Sequence, residues 1–189
     1  MRRLLFFSVV VCLGLTSCSG GTSTTSPPST TSTTTTTTTT VPPLAIAVTS
    51  SAYGDGEQIP AEFTCDGEGT QPSYTVSGLP SGTMSIAVVM EARVPQGVFV
   101  HWVQYDMPPE SEIPADAIDV GTVGAGLFGA LGYAPPCPLG DAVGVYTLQV
   151  FAVDSILGLD EGASQTKLLR ELEGRVIGLG ELTGEYSRS

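Results

Sequence analysis

The chain carries one histidine, His101, and one tryptophan, Trp102, side by side in the run Ser85 to Pro108, which also holds the carboxylate of Glu91. An imidazole held against a carboxylate in a partly buried setting can fix an anion or pass a proton. A histidine on an apolar strand can equally be a core residue satisfied by one hydrogen bond. Both readings place the chemistry of this chain, if it has any, around His101.

The elements that must position it are legible from hydrophobic pattern. Ser85 to Met90 is a nearly continuous apolar, β-branched stretch, as expected of a strand covered on both faces. Glu91-Ala92-Arg93-Val94-Pro95-Gln96-Gly97 interrupts it with proline and glycine and reads as a hinge. Val98 to Tyr105 alternates, which predicts Phe99, His101, Val103 and Tyr105 on one face and Val100, Trp102 and Gln104 on the other, with His101 close to Glu91. Leu44 to Ser50 and Tyr146 to Val153 read as further strands, and Thr75 to Thr83 as a strand end and turn. Ser111 to Asp141 is a long glycine- and proline-rich loop region. Ala163 to Glu173 is the one helix, capped by Ser164 or Thr166, with Leu168, Leu169 and Leu172 as its apolar face. The fold class is mostly β.

Ahead of this domain, Met1 to Cys18 has two arginines, an apolar stretch and then small residues, the pattern of a secretory signal. Leu15-Thr16-Ser17-Cys18 resembles the lipobox of bacterial lipoproteins, in which the cysteine is lipidated and becomes the first residue of the mature chain. An ordinary signal peptide or an uncleaved anchor competes with that reading, although the apolar run is short for a membrane span. Ser19 to Pro43 is almost wholly Ser, Thr, Gly and Pro, with an unbroken threonine run from Thr33 to Thr40, and is expected to be a disordered spacer. Its hydroxyls are candidate glycosylation points. Leu44 to Ser189 is then one domain, extracytoplasmic and held to the bacterial membrane through lipid alone.

The formal charge of −12 falls to −14 once Arg2 and Arg3 leave with the signal, which argues against nucleic acid and anionic membrane surfaces as partners. Cys12 leaves with the signal and Cys18 is claimed by lipid. Cys65 and Cys137 remain as an even pair in an oxidising compartment and are expected to form a disulfide. A zinc site is disfavoured, because His101 is the sole imidazole and no CxxC spacing exists. No cofactor is expected.

Several short motifs follow one another at telling intervals: Cys65-Asp66-Gly67-Glu68, Gly78-Leu79-Pro80-Ser81-Gly82-Thr83, Phe99-Val100-His101-Trp102, Gly132-Tyr133 with Pro135-Pro136-Cys137-Pro138, Ala152-Val153-Asp154, Glu173-Gly174 and Gly184-Glu185-Tyr186. In that order and spacing the chain resembles bacterial members of the phosphatidylethanolamine-binding protein (PEBP) family, the Raf kinase inhibitor-like group, from about Ala61 to the C-terminus. The resemblance implies antiparallel β-sheets with a short helix near the C-terminus. It also implies a pocket at one end of the sheet for phosphate and phosphoethanolamine head groups, built from an acidic hinge, a histidine, a glycine-proline loop and a second histidine followed by arginine and tyrosine.

Carried over by position, the hinge is Glu91, Arg93 and Pro95, the histidine is His101, the loop contributes Tyr133, Pro135 and Pro136, and the tyrosine is Tyr146. The second histidine falls on Gly144 and the arginine on Val145. The expected function is a tethered binding module for a small anionic or phosphorylated ligand. The alternative is a protein-interaction module, with a protease as partner, that binds no small molecule. An enzyme is not expected, since there is no G-x-S-x-G elbow and no second histidine.

Overall fold

In the computed structural model, residues 42–188 are described. The expected signal, Cys18 and nearly all of the expected spacer lie outside them. In chain order the strands are β1 (Leu44–Ala45), β2 (Ala47–Thr49), β3 (Glu57–Gln58), β4 (Tyr74–Ser77), β5 (Ser85–Val94), β6 (Gly97–Met107), β7 (Glu112–Ile113), β8 (Thr122–Val123), β9 (Gly144–Val153) and β10 (Val176–Tyr186), with one α-helix, α1 (Gln165–Leu172), between the last two.

The large sheet runs β1-β10-β9-β5-β6-β8, with β3 also on β10, and the small one β2-β4-β7. The long pairs are antiparallel, as expected, while the short β1 and β3 lie parallel to β10. The segment read as one strand from Leu44 changes sheet at Ile46, whose N–H donates to Leu179 O.

β5 is the central strand and is covered on both faces. Ile86, Val88, Met90 and Ala92 face the small sheet, where they pack with Tyr74, Trp102, Leu148 and Val150. Ala87 and Val89 face the other way, onto Val103, Tyr105, Leu168 and Leu172. α1 therefore closes the second layer. Its first turn is capped by Ser164 Oγ, which accepts from Lys167 N–H at 3.3 Å. Leu168 and Leu172 are buried beneath it, whereas Leu169, expected on the same face, points outward.

β10 has no counterpart in the pattern reading, because Gly178, Gly180 and Gly184 erase its alternation. They are glycine because the chain crosses there at close quarters. A Cβ at Gly180 would lie 2.5 Å from Ile46 O, and one at Gly184 would lie 2.6 Å from Ile59 Cγ1. Strand β10 accepts the N-terminal segment against its backbone where a side chain would hold it off.

Candidate functional site

The Glu91–Gly97 segment is not a hinge of seven residues. β5 continues to Val94 and β6 begins at Gly97, so Pro95 and Gln96 alone make the turn. Proline is tolerated there because a hairpin tip asks no ladder hydrogen bond of its nitrogen, and Gly97 takes a φ of 141° that other residues avoid.

The alternation expected for Val98 to Tyr105 is also broken. Met90 pairs with Trp102 but Glu91 pairs with Val100, which leaves His101 as the surplus residue of a β-bulge. The bulge shifts the phase of the strand. Phe99, Trp102 and Gln104 share the small-sheet side, while Val100, Val103 and Tyr105 take the helix side. His101 points to the former, its ring meeting the Tyr146 ring edge-on with centroids 5.2 Å apart. The backbone of the bulge is used as well, since Ala134 N–H donates to His101 O at 2.7 Å.

His101 does not pair with Glu91, contrary to expectation, because β5 runs on regularly past Glu91. Glu91 and Arg93 stand opposite Thr147 and Val145 on the other face of the sheet. There they line a separate groove with Glu181, and Gln165 Nε2 donates to Glu91 Oε1. Side chains alternate along a regular strand, so Ala92 faces His101 and its neighbours cannot.

Of the residues carried over by resemblance, the structure brings His101 and Tyr146 together in one cavity of about 160 Å³. Tyr133 lies elsewhere, edge-on to Trp102, with its hydroxyl donating to Phe63 O at 3.1 Å. Pro136 gives its carbonyl to Cys65 N–H, and Pro135 packs near Gly69. Pro95 is exposed at the hairpin tip. The cavity wall is instead completed by residues that pattern reading left within the long loop: Leu127 and Phe128 on one side, Cys137, Pro138 and Leu139 on the other. A signal existed, in that these are the apolar residues of a glycine- and proline-rich segment that otherwise has little reason to carry them. Cys137 is bonded to Cys65, so the expected pair is a bridge and its loop is tied to the turn around Cys65.

His101 is 5% exposed. Its Nδ1 lies 2.9 Å from Ala134 O, and since a carbonyl only accepts, the proton of the neutral ring sits on Nδ1 and leaves Nε2 as an acceptor. Burial pushes its pKa below the ordinary 6.5, opposed in part by the carbonyls of Ala134 and Pro135. Tyr146 is pushed up to about 12 by burial, with the Cys137 backbone N–H working against the rise. Both groups are therefore uncharged at neutral pH.

The histidine shift has a sign that can be measured. Its folded pKa is the lower one, so as pH falls through 6.5 the unfolded chain takes up the proton first. Stability is complete above that value and declines as pH drops toward the folded pKa. The urea midpoint of the wild type, compared with His101→Gln, is expected to show this slope in the wild type alone. Parallel pH profiles for the two proteins would refute it.

The missing second histidine has a structural counterpart. At Gly144 a Cβ would lie 2.6 Å from Tyr146 Cε2 and 2.8 Å from its hydroxyl. The tyrosine ring fills the space that a side chain at 144 would need.

Two packed sheets with a ligand-sized pocket, where a hairpin end meets a cross-linked loop, define a β-fold of the binding-protein type. The family model described as phosphatidylethanolamine-binding protein matches residues 49–187, and the chain belongs to this family. Relatives include a UPF0098 protein of Pyrococcus horikoshii, 38% identical over 149 residues that span 74% of this chain and 75% of that one. Another, from Chlamydia muridarum, is 33% identical over 148 residues, 75% of this chain and 98% of its own.

Among solved structures, a putative phosphatidylethanolamine-binding protein homologue from Chlamydia trachomatis superposes with a TM-score of 0.72. It has 29% identity and covers 77% of this chain and 99% of that one. Escherichia coli YbcL, described as a member of the mammalian PEBP family, gives 0.69 at 27% identity and covers 76% and 99%.

Proposed function

We propose that the chain is a lipid-anchored, extracytoplasmic PEBP-type binding protein, not an enzyme, that takes a small ligand in the pocket centred on His101. The observation that carries this reading is an imidazole fixed through Nδ1 to Ala134 O, whose ring lines a cavity with Nε2 left as its acceptor. An imidazole acceptor on a cavity wall offers a hydrogen bond to whatever fills the cavity, a ligand or a water. Among the residues lining the cavity there is no serine or free thiol for His101 to activate as a nucleophile.

The small anion or phospho head group implied by the resemblance is the first candidate, with a condition attached. None of the lining residues is a lysine, arginine or carboxylate, so the positive partner of an anion must be His101 itself in its protonated form. Burial resists that proton, and an anion beside the ring favours it. Phosphate or phosphoethanolamine binding is therefore expected to strengthen as pH falls from 7.5 to 5.5, with one proton taken up per ligand. Because the chain has one histidine, its imidazole NMR signals need no assignment. A saturable, pH-dependent shift would support the pocket. Absence of any response to any ligand in the folded protein would remove it and leave the protein-partner reading.

The anchor rests on the residues before the domain. Replacing Cys18 by alanine is expected to move the protein from the membrane fraction to the soluble one. Unchanged membrane association would end the lipoprotein reading.

A further inference from the structure

The wall of the His101 pocket is largely apolar as well as uncharged. Ala92 and Val94 of β5, Phe99 of β6, and Leu127 and Pro138 of the loops surround His101 and Tyr146, and the one other polar side chain in the lining is Gln96, exposed at the hairpin tip. At the mouth stand Phe128, 96% exposed, and Leu139, 73% exposed. Phe128 holds a φ of 52°, a left-handed conformation that residues with a Cβ rarely adopt. The ring thus stands in water at the rim, on a strained backbone.

The polar groups are complementary to each other. His101 Nε2 can only accept while Nδ1 holds the proton, and the Tyr146 hydroxyl, still protonated at neutral pH, can donate. One acceptor and one donor inside a cup whose only other polar side chain, Gln96, lies exposed at the hairpin tip match a group that both donates and accepts, which is a hydroxyl. Charged ligands match it poorly, because desolvating an ion against neutral walls is costly. The volume of about 160 Å³ is close to the roughly 150 Å³ of an apolar cavity that accommodates benzene.

We propose that at neutral pH the occupant of this pocket is a small uncharged alcohol with a ring-sized apolar body. Its hydroxyl donates to His101 Nε2 and accepts from the Tyr146 hydroxyl, and its body lies against Phe99, Leu127 and Phe128. The proposal rests on the reading of the pocket as a binding site and replaces the anion as its neutral-pH ligand.

The test uses the tag-free full chain, its His101 NMR signals, and four probes at pH 7.5: benzyl alcohol, toluene, benzoate and inorganic phosphate. Benzyl alcohol is expected to shift the imidazole saturably and to bind about 3- to 10-fold more tightly than toluene, the worth of a net hydrogen bond. Benzoate and phosphate are expected to bind more weakly still. Tyr146→Phe, which keeps the ring, should remove most of the advantage of the alcohol and leave toluene unchanged. Toluene binding as well as the alcohol, or either anion binding better, would overturn the inference while preserving the pocket. If no probe moves His101 in the folded protein, at this pH or lower, the pocket itself falls as the functional site.

Discussion

Breaking the Cys65–Cys137 bridge is expected to destabilise the domain by about 4 kcal/mol, the loop-entropy value for cysteines separated by 72 residues. That is a large part of the 5–15 kcal/mol typical of a folded domain. The bridge also fixes a pocket wall, since Cys137 lines the cavity and its neighbour Pro136 accepts from Cys65 N–H. The loop retains other ties to the sheet, Ala134 N–H to His101 O and His101 Nδ1–H to Ala134 O. We therefore expect a reduced protein to keep its sheets and lose definition around His101 before it unfolds.

Both cysteines are exposed, so a soluble reductant reaches them. Urea unfolding of the oxidised protein, the reduced protein and the Cys65→Ser/Cys137→Ser variant measures the effect. A difference under about 1 kcal/mol would show that hydrogen bonds alone hold the loop.

Gly144→His, which writes back the second imidazole implied by the resemblance, is expected to cost about 1–3 kcal/mol and to bring no gain in anion binding at neutral pH. Its Cβ would lie 2.6 Å from Tyr146 Cε2, well inside contact distance. Tyr146 is 1% exposed and packed against the edge of His101, so its ring has nowhere to move without opening the pocket. Overpacking of this kind costs about 1–3 kcal/mol. Adding Tyr146→Ala should return part of the loss, because contacting residues are coupled. A Gly144→His protein as stable as the wild type, binding phosphate at pH 7.5, would show that the ring yields freely.

These two sites also show where pattern reading succeeds and where it stops. β5 was legible because a strand buried on both faces is apolar without interruption, and α1 because Leu168 and Leu172 recur at helical spacing beside a serine cap. The cysteine pair was legible from counting. β10 was not, because its glycines answer to a chain crossing made by residues well over a hundred positions earlier. Nor was the orientation of His101, since a bulge is a property of two strands and the alternation of one cannot announce it. Glu91 and Arg93 fall on the face opposite His101 because β5 runs on regularly to Val94 where proline and glycine suggest a hinge, and Phe128 and Leu139 give no signal because loop residues carry no period to read.

The surplus residue in β6 has a practical side for protein engineering. At position 101 the parity of the strand inverts: Phe99 and His101 look toward the cavity, and past them Trp102 and Gln104 look toward the shared core. A directed-evolution library aimed at new ligands should therefore diversify 94, 96 and 99 together with 127, 128 and 139, and leave 102 and 104 untouched. Trp102 Nε1–H donates to Gln104 Oε1, and Gln104 in turn holds Ala117 O. Recognition and foldability occupy separate stretches of one strand, so the first can be retuned without spending the second.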